Sequence, residues 1–151
     1  MSASKFVSDV KVINHNNEIV YNYLSDFNKL GKFFNEFTLA QISNQLPNIE
    51  ITGFKCDTDS CTFILSNNGE GGIRIIERES PKTIKMTGTG KIPFEMYLWI
   101  QVLPVAPYQS KIRVTLHAEM NMMMKMVAGK KIKEGVNKIA EALTAFPYHI
   151  T

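Results

Sequence analysis

No apolar run in this chain is long enough to cross a bilayer. The most apolar stretch, residues 96–100, is interrupted by Gln101 and falls far short of the roughly 20 residues a spanning helix needs. The first dozen residues carry one early lysine, then Ser8 and Asp9, and no apolar segment of signal-peptide length; secretion finds no support and a cytoplasmic setting is expected. Cysteine occurs only twice, as Cys56 and Cys61 on either side of Asp57-Thr58-Asp59-Ser60. Across a tight hairpin the two would face each other and a disulfide is possible, but without a secretory context free thiols are the favoured reading. Three scattered histidines, His15, His117 and His149, complete no metal-ligand spacing, so neither a metal nor a cofactor is expected.

Catalytic signatures are missing as well. No serine lies in a Gly-x-Ser-x-Gly elbow. Gly69-Glu70-Gly71-Gly72 lacks the Lys-Ser/Thr of a phosphate loop and enters a strand pattern, so it reads as a hairpin turn. Lysines far outnumber arginines and no aromatic residues interleave with them, which argues against a nucleic-acid surface. With no catalytic constellation, whether the protein is an enzyme stays open and a binding role is favoured.

What the chain does have is an ordinary globular balance: 151 residues, 44% hydrophobic and 21% charged, with a net charge of +3 at pH 7. That suits a single domain spanning residues 1–151, large enough to bury roughly 70% of the surface its unfolded form would expose. The excess positive charge sits in the last third. There Lys125, Lys130, Lys131, Lys133 and Lys138 face only Glu134 and Glu141, a pattern that reads as a solvated face or as a surface for an acidic partner or anionic membrane.

Hydrophobic periodicity supplies the order of elements. Residues 5–13 read as a strand rich in β-branched residues, followed by a short helix to about residue 24, capped by Asn16 or Asn17, and a second carrying Phe27, Leu30, Phe33 and Phe34. From about residue 49 the period becomes two and turn residues recur about every ten positions. Strands are expected over 49–57, 60–66, 72–79, 83–88, 94–103 and 110–119. The last two alternate most cleanly: Ile112, Val114, Leu116 and Ala118 on one face, Lys111, Arg113, Thr115 and His117 on the other. Likewise Phe94, Met96, Leu98, Ile100 and Val102 oppose Tyr97 and Trp99. A methionine-dense amphipathic helix follows from Asn121 to about residue 146. Its apolar stripe on a helical wheel is Met122, Met126, Gly129, Ile132, Val136, Ile139, Ala140 and Leu143. An antiparallel sheet with helices on one face is an α+β architecture.

This order resembles the START-like, or SRPBCC, superfamily, which includes the birch pollen allergen, polyketide cyclase-like proteins and lipid-transfer domains. The local residues that carry the resemblance are Glu18 through Asp26 at the first helix, Ile73 through Pro81 leading to a strand turn, and the methionine-rich start of the last helix. The resemblance implies a helix-grip fold: a curved antiparallel sheet of about seven strands wrapped around a long C-terminal helix, with two short helices after strand 1. It also implies a hydrophobic cavity between sheet and helix.

The expected function is binding of a small hydrophobic ligand, such as a lipid, polyketide or isoprenoid-like molecule, in that cavity. The expected lining is Met86, Phe94, Met96, Leu98, Ile112, Val114 and Leu116 from the sheet and Met122, Met126, Val136 and Ala140 from the helix. Strict alternation from Ile73 and Ile75 adds Glu77 as a carboxylate among apolar groups, although Ile76 leaves its face ambiguous. One alternative is an aromatase/cyclase-type enzyme using Glu77 or Tyr23 for proton transfer. Tyr23, His15 and Arg74 are polar groups that could meet in space. Another alternative is an interaction module or homodimer through Tyr97 and Trp99 on the sheet's outer face.

Overall fold

A computed structural model describes residues 3–30, 51–66, 69–90, 95–146 and 148. Its eight strands are β1 (Ala3–Val7), β2 (Lys11–Ile13), β3 (Ile51–Cys56), β4 (Ser60–Leu65), β5 (Glu70–Glu79), β6 (Thr83–Gly90), β7 (Met96–Ala106) and β8 (Gln109–Glu119). All pair antiparallel in one sheet, in the order β1-β8-β7-β6-β5-β4-β3, and β2 also pairs with β8. The helices are α1 (Asn17–Leu24), α2 (Phe27–Leu30) and α3 (Met122–Thr144). Among the described residues no helix is long and apolar enough to cross a membrane.

The single first strand expected over 5–13 is two. Val7 pairs with Thr115 and Lys11 with Ile112, so Ser8, Asp9 and Val10 form the break between them. Ser8 fills it: its backbone N–H donates to the Val114 carbonyl, and its buried hydroxyl accepts from the Val114 N–H at 2.9 Å. Ser8→Ala leaves that buried amide without a partner and is expected to cost about 1–2 kcal/mol of stability, read from the urea midpoint. The same break anchors α3. Asp9 donates its N–H to Asn137 Oδ1 at 2.7 Å, and Lys133 Nζ donates to the Val7 carbonyl.

Local capping follows the sequence. Asn16 accepts from the Glu18 N–H at 2.8 Å to start α1, and Asn121 accepts from the Met124 N–H at 2.8 Å to start α3. The core lies on one face of the sheet, where Phe6, Met86, Leu98, Ile100, Val102, Ile112 and Val114 meet α1, the start of α2 and the second half of α3. Burying each of these large side chains contributes about 1.5–3 kcal/mol. The opposite, convex face carries Lys85, Tyr97, Trp99, Arg113 and His117, as the alternation of β7 and β8 predicts.

Two expectations are corrected. Cys56 and Cys61 are not free thiols: they pair across the β3–β4 hairpin, Cα atoms 4.2 Å apart, and form a disulfide. The strict alternation read through β5 also fails. The register shifts between Ile75, opposite Met86, and Glu77, opposite Lys85, leaving Ile76 as a bulge. The extra residue moves Glu77 to the convex face and turns Arg78, opposite Ile84, to the core side. Phe33, Phe34 and Pro147, read as helix and stop signals, lie outside the described residues.

Candidate functional site

The concave face changes character from one end of the sheet to the other. At the end covered by α1, rows such as Ile84–Ile100–Val114 are built of branched side chains and fully packed. Moving toward the start of α3, β6 continues its alternation from Ile84 and Met86 to Gly88 and Gly90. On β5 the pattern runs from Ile75 through Ile73 to Gly71. The pairing brings these glycines together: Ile73 faces Gly88, Gly71 faces Gly90, and Phe63 of β4 faces Gly71. Three neighbouring inward positions therefore carry no side chain. Gly90 adopts φ +73°, and a Cβ there would meet the Glu70 carbonyl oxygen, so that position tolerates only glycine.

Half-buried apolar side chains pack against the core from several elements: Phe63 and Ile73, paired with Gly71 and Gly88, Met96 on β7, and Met124, Ala128 and Ile132 on α3. Their incomplete burial contrasts with the second half of α3, where Val136, Ala140 and Leu143 are buried. Helix α3 packs chiefly on β1, β2 and β8, at one side of the glycine patch. Gly129 faces Phe6 across this contact, at a distance where a Cβ would make ordinary van der Waals contact, 3.9 Å from Phe6 Cε1. This end of the concave face is thus partly bare backbone, with the helix covering the β1–β8 side of the sheet.

The residues expected to line a cavity divide into several groups. Met86, Leu98, Ile112, Val114, Leu116, Val136 and Ala140 all face the interior, yet they are buried core members; of the sheet residues expected, only Met96 is half-buried. Phe94 lies outside the described residues. Met122 and Met126 are 79% and 82% exposed and point away from the sheet. The expected stripe holds at Ile132, Val136, Ala140 and Leu143 and fails in the first two turns and at the exposed Ile139. Met120 is buried at the strand–helix junction, and Met124, Ala128 and Ile132 follow it inward. Glu77 is solvent-exposed on the convex face, beside Lys85. Sequence reasoning names none of Gly71, Gly88 and Gly90 as a site residue; Gly71 reads as part of a hairpin turn and Gly88 as the end of a strand, and the alternation continuing from Ile84 and Met86 is the signal that points to Gly88 and Gly90.

Two of the three polar groups expected to meet do so, around a third ring. His15 and Tyr23 both flank Tyr148, at centroid distances of 5.7 and 5.1 Å, while Arg74 is exposed on β5. Tyr23 also lies 6.1 Å from Phe146. Burial raises the pKa of Tyr23, so its phenol stays protonated at neutral pH within an aromatic cluster. Burial likewise raises the pKa of Tyr21, against a lowering by Arg78, and the Tyr21 hydroxyl has no hydrogen-bond partner. On the convex face Trp99 stacks edge-on with His117 at 4.6 Å, and Lys85 Nζ lies over the Tyr97 and Trp99 rings at 4.9 and 5.3 Å. Much of that aromatic surface is thereby occupied within the sheet itself. A shallow groove of about 140 Å³ lies on the same face between Val10, Gln101, Leu103, Lys111, Ile112 and Arg113. Among the described residues no cluster of histidine, cysteine and carboxylate side chains could hold a metal.

No protein-family model matches this sequence, and no curated protein does. Solved structures match along almost all of it. A solution structure of a protein from Thermobifida fusca superposes with a TM-score of 0.62 at 15% identity, over 95% of this chain and 92% of that one. Norcoclaurine synthase from Thalictrum flavum, solved in complex with dopamine and hydroxybenzaldehyde, gives 0.62 at 11% identity, over 95% and 85%. A START superfamily protein from Mycobacterium smegmatis gives 0.51 at 14% identity, over 94% and 99%. The chain has the START-like, or SRPBCC-like, helix-grip fold: a curved antiparallel sheet with a long C-terminal helix and short helices after the first strands. Proteins of this fold include ones that hold small molecules, as the norcoclaurine synthase complex does.

Proposed function

We propose that the chain is a single binding domain that holds a small hydrophobic or aromatic molecule in a recess over Gly71, Gly88 and Gly90. The observation that carries this reading is the loss of inward side chains at those three paired positions while Phe63, Ile73, Met96, Met124, Ala128 and Ile132 remain half-buried. A packed core would use side chains there; a backbone floor leaves room for a ligand and lets it approach closely. Support also comes from a protein of the same fold that holds dopamine and hydroxybenzaldehyde. A lipid, polyketide or isoprenoid-like molecule fits the apolar rim equally.

The cyclase reading loses one of its two proposed groups, because Glu77 faces solvent on the other side of the sheet, and keeps only Tyr23, buried in the aromatic cluster. Homodimerisation through Tyr97 and Trp99 keeps one specific support, the 40% exposure of Tyr97. If the protein works in the cytoplasm, its reducing conditions favour Cys56 and Cys61 as a dithiol there.

Nile red fluorescence and native mass spectrometry of freshly purified protein test the binding reading. Gly88→Leu and, from the helix side, Ala128→Leu are expected to weaken Nile red binding at least about tenfold while leaving the circular dichroism spectrum unchanged. Undiminished binding in both folded variants, or no dye binding and no co-purifying ligand in the natural chain, sinks the proposal.

A further inference from the structure

The first two turns of α3 expose an apolar surface that the fold does not use. Met122, Met123, Met126 and Val127 are 75–82% exposed. At about 100° per residue they share one side of the helix, opposite the inward Met124, Ala128 and Ile132. Lys130 continues that same side, with Glu134 one turn beyond it and Lys131 and Lys125 at its two borders, all exposed; Lys133 is turned to the sheet, where its Nζ donates to the Val7 carbonyl. The first turn of the helix contains no acidic residue. The nearest strand-end carboxylates, Glu95 and Glu119, alternate to the convex face while α3 lies on the concave one.

We propose that this segment is a docking surface for an anionic lipid bilayer. The methionine and valine side chains enter the boundary between headgroups and acyl chains, and the lysines one to two turns behind contact the phosphates. Charge complementarity selects this occupant. In a self-association that places this face against its own copy, the Lys130–Lys131 pairs would confront each other, whereas anionic lipids neutralise them. Unbranched methionines also suit a fluid surface with no fixed shape to match. The proposal does not depend on a ligand in the sheet recess.

Co-sedimentation of the full chain with vesicles tests it, using phosphatidylcholine alone and phosphatidylcholine with about 30% phosphatidylserine. The expected result is binding to the phosphatidylserine vesicles at about 0.05 M salt and at least about tenfold weaker binding at about 0.5 M. The folded triple variant Met123→Gln, Met126→Gln, Val127→Gln should also bind about tenfold more weakly, and so should Lys130→Glu with Lys131→Glu. These positions are exposed, so both variants keep the fold, and circular dichroism checks it. Absence of binding to phosphatidylserine vesicles at low salt overturns the proposal, as does a triple variant that binds like the natural chain. Concentration-dependent dimers abolished by the triple variant, with no vesicle binding, would identify a second copy as the occupant and overturn the lipid reading.

Discussion

Tyr148→Ala is expected to lower the unfolding free energy by about 3–5 kcal/mol, the largest single effect predicted here, and to bring the thermal midpoint down by about 10 °C. The side chain is fully buried after the end of α3. It stacks edge-on with Tyr23 at 5.1 Å, lies 5.7 Å from His15 and 6.2 Å from Phe146, and donates its hydroxyl to the Leu143 carbonyl. It thus fastens the last turn of α3 to α1, and removing it opens a cavity where two helices meet. Tyr148→Phe keeps the ring contacts and loses only the hydrogen bond, for about 1 kcal/mol. Burial pushes the pKa of Tyr148 far up, with Tyr23 adding in the same direction. A pKa raised on folding gives stability that is complete below the unfolded value and declines as pH rises past it. The unfolded phenol ionises above about pH 10 while the folded one stays protonated, so alkaline solution favours the unfolded chain. Urea titrations at increasing pH should show the Tyr148→Phe protein losing less stability above about pH 10 than the natural chain. Equal slopes would show that the phenol is not held neutral by the fold.

The parts of the fold that were legible in the sequence are those where one physical rule acts alone. β7 and β8 alternate as read over Met96–Val102 and Ile112–Ala118 because each has one packed face and one solvated face. Asn16 and Asn121 announce their helices because an orphan amide needs an acceptor. Legibility fails where a second rule intervenes. Alternation places Glu77 inward, but the bulge at Ile76 reverses everything after it, and nothing in the Ile-Ile pair itself says which residue will be extra. The helical wheel groups Met122 and Met126 with Val136, but in the first two turns it is Met124 and Ala128 that face the core while Met122 and Met126 are exposed. Gly71 and Gly90 were readable as strand members only once their partners were known, since glycine is also the commonest turn residue. In each case long-range contacts decided between two readings that local pattern left equally acceptable.

The bulge that defeated alternation also creates the second large effect expected: Arg78→Ala should destabilise the protein by about 2–3 kcal/mol. Turned to the core side opposite Ile84, the guanidinium donates to the Ser25 carbonyl from Nε and Nη2, at 3.1 and 3.0 Å. Nη2 also donates to the Thr58 carbonyl at 3.1 Å and meets Asp59 Oδ1 at 2.8 Å. One side chain therefore ties the end of α1 to the β3–β4 turn, beside the contacts that Phe27 N–H and Asn28 Nδ2 make with Thr58. Most of the effect should come from the carbonyl bonds, because Asp59 is largely exposed and a solvated ion pair contributes little. The prediction is thus asymmetric: Asp59→Ala should change stability by less than about 1 kcal/mol, while Arg78→Lys, lacking the planar fork, should recover less than half of the Arg78→Ala loss. Urea denaturation of the three variants reads this directly. An Asp59→Ala loss equal to that of Arg78→Ala would assign the energy to the ion pair instead of to the bonds that hold α1 on the sheet.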